Sequence, residues 1–262
     1  MKQPRIELSI KLALIIMTSA SAQIAAAAPI AFMVTSTDHF GTIDLGTGAY
    51  TDIANTGQLL SGLGVSGGSL YAGLTNSAIL YQVNSVTGAL TNVGSGSFNY
   101  LATGSTSTGL YGINTSMQLF SVNPSTGATA LIGSTGLVEA SVVSFSTGSN
   151  TLYLSNGTSL YSLNTSTAAP TLIGSTGSLY LAGMVASGGT LYGGSYFAPE
   201  FVVTIDQNTG ATTVGPLVSG AQGNFYGLAQ LDSAAAVPEP GALGLTLAGL
   251  GIVSLFARRN RR

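Results

Sequence analysis

Along the centre of the chain, short runs alternate apolar side chains with Ser, Thr or Gly, or hold a few apolar residues together, and Gly, Asn and Ser break them at short intervals. A period of two puts every second side chain on one sheet face, so these runs predict strands rather than helices. The clearest stretch predicts four, over about 59–65, 68–74, 78–84 and 89–93. Leu-Tyr opens one strand of each group, at Leu70, Leu110, Leu152 and Leu191, with Phe32-Met33 as a degenerate first copy. Another apolar strand runs into Thr-Gly or a variant of it, in TIDLGTG, YQVNSVTG, FSVNPSTG, YSLNTSTA and VTIDQNTG. The threonines of these segments, Thr47, Thr87, Thr126, Thr167 and Thr209, lie 40, 39, 41 and 42 residues apart. A period of ~40 residues built from four short strands is the signature of a propeller blade.

The strand before each Thr-Gly ends in Asp44, Asn84, Asn123, Asn164 or Asp206, and Gly or Ala follows four positions later. An Asx side chain caps its own turn and Gly accepts positive φ, so the pattern predicts tight hairpins, with Pro124 preset for one of them. The first unit lacks an opening strand, because Ile30–Val34 already matches the Leu-Tyr strand. One unpaired segment, Asn224–Asp232, is left after the fifth unit, and Gly227-Leu228 resembles Gly62-Leu63 of an opening strand. Pairing that segment with Ile30–Val34 completes the first blade and removes two sheet edges. The fold class that follows is all-β, a five-bladed β-propeller over residues 28–232. Its opening strands line a narrow axis with small residues such as Gly62, Gly64, Ala102, Gly183 and Ala229.

Composition sharpens this picture. All seven bases lie at the ends, Lys2, Arg5 and Lys11 at one and Arg258, Arg259, Arg261 and Arg262 at the other. The body is purely anionic, which excludes nucleic acid as a partner, since that binding rests on neutralising phosphates with bases. Cysteine is absent, so neither disulfides nor thiol ligands contribute, and the fold rests on its core.

The ends read as addresses. Residues 1–27 form a signal peptide: a basic start, an apolar run from Leu12 to Met17, and small residues offering A-x-A cleavage sites such as Ala25-Ala26-Ala27. Residues 233–262 form a linker and tail in which Pro238, Glu239 and Pro240 precede 17 uncharged residues, Gly241 to Ala257, and the arginine cluster. Seventeen is the short limit for a spanning helix, and the arginines act as a stop-transfer signal that keeps the terminus cytoplasmic.

Val-Pro-Glu-Pro, a glycine-rich apolar segment and terminal arginines together resemble the PEP-CTERM sorting signal of Gram-negative bacteria over residues 237–262. That resemblance implies export through the inner membrane and membrane attachment by helix 241–257 before processing. It further implies exosortase and the export machinery as partners, and a destination at the cell surface or among exopolysaccharide. The body resembles bacterial propeller repeats of the type Leu-Tyr-Gly followed by Asn-Pro-x-Thr-Gly, which implies architecture alone.

Catalytic chemistry is sparse. His39, the one imidazole, is expected in an exposed polar loop beside Asp38 with no nucleophile elbow in the chain. The acids Asp38, Asp52, Glu139 and Glu200 are expected to scatter over different units, whereas a glycosidase needs two carboxyls facing one sugar. No phosphate loop or Asp-x-Asp-x-Asp calcium array occurs. The reading is a non-catalytic surface or matrix module with no catalytic, metal or cofactor residues and no cofactor, associated with exopolysaccharide. The alternative is a secreted carbohydrate-active enzyme on the same scaffold.

Overall fold

A computed structural model describes residues 29–231. The predicted signal peptide, Pro238, Glu239, Pro240, the apolar segment 241–257 and Arg258, Arg259, Arg261 and Arg262 lie outside the described residues.

The described chain is all β, with twenty strands in sequence order. The first three are β1 (Ile30–Thr35), β2 (His39–Asp44) and β3 (Tyr50–Asn55). A second group is β4 (Gly64–Ser66), β5 (Ser69–Gly73), β6 (Ile79–Val83) and β7 (Leu90–Ser95), and a third is β8 (Ala102–Thr106), β9 (Gly109–Ile113), β10 (Gln118–Val122) and β11 (Thr129–Ser134). Then come β12 (Val143–Thr147), β13 (Leu152–Asn156), β14 (Ser159–Leu163) and β15 (Pro170–Ser175), followed by β16 (Leu181–Ser187), β17 (Thr190–Ser195), β18 (Phe201–Ile205), β19 (Thr212–Leu217) and β20 (Phe225–Ala229). Three sheets have four strands, in the orders β20-β1-β2-β3, β4-β5-β6-β7 and β11-β10-β9-β8. The remaining two meanders join into one eight-stranded sheet through a parallel pairing of β12 with β16.

The last strand returns to the first, as the sequence predicts: β20 pairs antiparallel with β1, Phe32 opposite Ala229 and Met33 opposite Leu228. Phe225 and Ala229 are fully buried there and Leu228 nearly so. The predicted strand over 59–65 needs correction, because only Gly64–Ser66 forms ladder. Gly62, at φ +121°, turns the chain so that Leu60 bridges Leu74 while Gly62 bridges Thr103 of the next sheet.

Strands β4, β8, β12, β16 and β20 pack against one another at the centre, where small residues let backbones meet. A Cβ on Gly183 would lie 2.8 Å from the Leu228 nitrogen, and one on Gly227 would lie 2.6 Å from the Gly62 Cα. Backbone groups in so crowded a place need partners, and side-chain hydroxyls supply several. Ser144 Oγ donates to the Leu181 carbonyl at 2.7 Å, Thr147 Oγ1 to the Leu228 carbonyl at 3.1 Å, and the Val65 N–H donates to Ser105 Oγ at 2.9 Å.

The Thr-Gly hairpins match their prediction residue by residue. Oδ1 of Asp44, Asn84, Asn123, Asn164 and Asp206 accepts from the N–H groups two and three positions on, at 2.8–3.2 Å. Gly48, Gly88, Gly127, Ala168 and Gly210 take positive φ at the end of these turns.

Each turn also latches onto the outer strand of the preceding unit, seven residues beyond that unit's own threonine. A Cβ on Gly88 would meet the Ala54 Cβ at 2.7 Å, one on Gly127 would meet the Gly94 carbonyl carbon at 2.7 Å, and one on Gly210 would meet the Gly174 carbonyl carbon at 2.9 Å. Gly133 sits in the same way on Thr167 and Ala168, and Gly48 on Pro216 and Leu217. The fifth unit is further tied to the first by hydrogen bonds from the Ser219 N–H to the Gly48 carbonyl and from the Tyr50 N–H to the Ser219 carbonyl.

At Gly174 a side chain would drive into the Thr209 carbonyl, a backbone atom held by its own turn. Gly174→Val is therefore expected to cost about 3 kcal/mol, the upper range for overpacking, and to lower Tm by roughly 6–12 °C at 2–4 °C per kcal/mol for a chain of this size. Gly177, at φ +72° with open space around it, is the control: Gly177→Asn, a residue that tolerates positive φ, is expected to shift the melting curve little. Equal curves for the two variants would refute the latch.

Candidate functional site

Neighbouring central strands run parallel, as the β12–β16 pairing and the parallel Gly62–Thr103 bridge require. Their starts therefore gather at one pole and their ends at the other. Both chain ends belong to the second pole, which we call the exit pole. Ile30 lies opposite Asp44 at a Thr-Gly turn, and Gln230 and Leu231 border recesses lined by the β4–β5 and β6–β7 turns.

At the first pole the central strand starts surround a recess of about 420 Å³ open to solvent. Every unit contributes to its wall: Ser61, Leu101, the Ser141–Val143 stretch, Ala182 with Tyr196, and Tyr226. The exit-pole recess is larger, about 700 Å³, but it is lined by Gly, Ser and Thr of turns with one Val and Gln230. Convergent side chains of mixed chemistry, rather than volume, mark a binding site, so the first recess, the mouth, is the candidate.

Aromatic rings gather beside the mouth, and two of them, Tyr196 and Tyr226, line it. Tyr180 precedes β16, Tyr196 and Phe197 follow β17, and Tyr226 lies on β20. The Tyr196 N–H donates to the Tyr180 carbonyl at 2.8 Å and ties the β15–β16 and β17–β18 connections together. Phe197 meets Tyr180 and Tyr196 edge to face, with centroids 5.3 and 5.0 Å apart, and Tyr196 lies 6.2 Å from Tyr226. Phe197 is 55% exposed despite its size. Burial, and then Tyr196 beside it, push the Tyr226 hydroxyl above its ordinary range. Tyr180 and Tyr226 stand 46 positions apart in the sequence, so strand periodicity carries no signal of this cluster.

Glu200 follows Phe197 in the β17–β18 connection. Burial pushes its carboxyl up to about 7. A folded-state value above the unfolded one means that the native state binds the extra proton, so its contribution is present at low pH and is lost as pH rises from the ordinary range through about 7. Glu200→Gln is expected to raise Tm slightly at pH 8, by less than about 1 kcal/mol of stability after solvent screening, and to leave it unchanged at pH 4. A variant less stable at pH 8 than the parent would contradict this.

His39 corrects its expected loop setting. It begins β2, its side chain is only 14% exposed, and Nδ1 lies 2.9 Å from Asp52 Oδ1 while Nε2 lies 3.3 Å from Asn55 Nδ2. Asp52 also accepts from the Tyr50 hydroxyl at 3.2 Å, and burial followed by this carboxylate holds that phenol above its ordinary range. Asp38 and Asp52 thus share the first unit rather than scatter. The cluster lies on β2 and β3, and none of its residues lines the mouth. The Asx residues serve their turns, and backbone donors from Asn208 and Thr209 hold Asp206 below the usual carboxylate range. Among the described residues no three His, Asp or Glu side chains gather in a way that suits a metal ion.

Residues 236–262 match the model of the PEP-CTERM protein-sorting motif. No curated protein matches the chain. Among solved structures the body is similar to a chain of a nidogen/laminin complex, with a TM-score of 0.55 and 9% identity over 77% of this chain and 98% of the other. It is also similar to a structural genomics protein of unknown function from Bacteroides thetaiotaomicron VPI-5482, with a TM-score of 0.54 and 15% identity over 78% of this chain and 66% of the other. At such identities the likeness speaks of fold alone. The protein thus joins a β-propeller-like body to a PEP-CTERM sorting motif, which implies export and handling by an exosortase.

Proposed function

We propose that this protein is a non-catalytic binding module of the cell surface or extracellular matrix, a five-bladed propeller whose mouth engages exopolysaccharide. The observation that carries this reading is the mouth itself, where all five units converge on one recess beside an exposed, edge-braced aromatic cluster. The chain ends emerge at the opposite pole. Before processing, the tail held by segment 241–257 orients the exit pole toward the membrane and the mouth away from it. Purified mature protein on a glycan array, with supernatant, matrix and cell fractions blotted for the body, tests the proposal. Glycan binding together with matrix localisation is the expected result. An array without binding leaves only a structural coat.

One observation favours the rival reading, a secreted carbohydrate-active enzyme: the carboxyl of Glu200, pushed up to about 7, has the protonation a general acid needs near neutral pH. Release of reducing ends from a bound polysaccharide, abolished in Glu200→Gln, would establish it. Binding that leaves the polymer intact supports the module.

A further inference from the structure

We infer that the polymer held at the mouth is a neutral polysaccharide gripped by stacking on Phe197, and that acidic polysaccharides are rejected. This rests on the binding reading above and narrows its ligand. The first argument is the platform. Phe197 is 55% exposed while two tyrosine rings hold it in place at 5.0 and 5.3 Å, so more than half of a braced aromatic ring stands open to solvent. A pyranose ring offers a flat C–H face to an aromatic ring and a rim of hydroxyls to hydrogen-bonding neighbours. Ser141, Tyr196 and Tyr226, each carrying a hydroxyl, line the same recess.

The second argument is charge, and it selects among sugars. No Lys or Arg occurs between residues 12 and 257, so a uronate, sulfate or phosphate on the ligand meets no lysine or arginine at the mouth. The acids in the connections that reach this pole are Asp38, between β1 and β2, Glu139, between β11 and β12, and Glu200, between β17 and β18. A polyanion would have to surrender its hydration to a surface of its own sign, whereas a neutral polymer incurs no such penalty.

The test titrates the exported mature protein with dextran, laminarin and galactomannan, and in parallel with alginate and hyaluronate, at about 20 mM and about 200 mM salt to separate screened repulsion from poor fit. The chain has 11 Tyr and no Trp, so tyrosine emission reports directly, with gel retardation as a second readout. At least one neutral polymer is expected to bind. Both acidic polymers are expected to bind more than tenfold more weakly at low salt, and Phe197→Ala to weaken the neutral complex at least tenfold while lowering Tm by only a few degrees through loss of its two ring contacts. Equal or tighter binding of alginate or hyaluronate overturns the inference but leaves the binding module standing. Neutral binding indifferent to Phe197→Ala overturns the placement at the mouth. If none of the five polymers binds, the inference and the polysaccharide reading fall together.

Discussion

Removing Phe225–Ala229 is expected to abolish the native fold and leave an aggregating chain. Phe225 and Ala229 are fully buried and Leu228 is 1% exposed, so the segment belongs to the core rather than to a dispensable end. Truncating a buried Phe costs about 3–5 kcal/mol and a buried Leu about 2–5, together a large share of the 5–15 kcal/mol that a whole domain commands. Deletion would also uncover Met33 and Val34 and leave β1 with unpaired N–H and C=O groups, a template for another chain. Light scattering and circular dichroism of the deletion variant measure the outcome. Phe225→Ala is the graded version, expected to stay soluble with a Tm lower by roughly 10 °C. A monodisperse deletion variant with the parental melting curve would show that β20 does not close the body.

Alanine at Pro238, Glu239 and Pro240 together is expected to leave the protein exported and inserted but unprocessed. Two prolines in three residues disfavour a regular helix, so the motif is expected from its sequence to offer Glu239 to a processing enzyme beside the apolar segment. The segment from Gly241 to Ala257 is unchanged by these substitutions, so insertion persists. The trailing arginines still resist passage, at about 2.5–3.5 kcal/mol each on insertion scales. Deleting Arg258–Arg262 is expected to act at the other step and weaken retention before processing. In Gram-negative cells that carry an exosortase, the first variant accumulates in the membrane fraction at full length. Trypsin has no site between residues 12 and 257, so intact mass rather than tryptic peptides distinguishes the forms. Processing and release of the triple-alanine variant at the parental rate would reduce the tail to an anchor.

These expectations differ in how far the sequence alone supports them. The Thr-Gly hairpins were legible because one chemistry, an Asx cap and a residue at positive φ, is needed at every copy, from Asp44 with Gly48 to Asp206 with Gly210. The returning strand was legible by subtraction, since one strand was missing at the start and one was spare at the end. The latches left a trace that is easy to pass over, a small or ring-closed residue seven positions after each threonine: Ala54, Gly94, Gly133, Gly174 and Pro216. Their partners belong to the next unit, and a local reading of turns and strands has no term for that. Gly62 misled in the opposite sense, because the apolar run through 59–65 looks continuous while its backbone breaks. His39 misled because Asp38 is its neighbour in sequence and Asp52 its neighbour across the sheet. The mouth was invisible, since Tyr180, Tyr196 and Phe197 gather in the connections of the fifth unit and Tyr226 reaches them only from β20, none of them at a repeated position.

The placement of both chain ends at the exit pole has a mechanical consequence. On the function proposed above, a pull between the tail and a polymer at the mouth would enter at Leu231 and pass into β20, along the strand rather than across it. Strand β20 grips β1 through the register from Phe32 opposite Ala229 to Thr35 opposite Phe225, and in that direction these pairs must slide together instead of opening one at a time. The chain thus loads its strongest mode of resistance at the strand whose loss would undo the ring, and cutting the tail removes the load without touching the clasp.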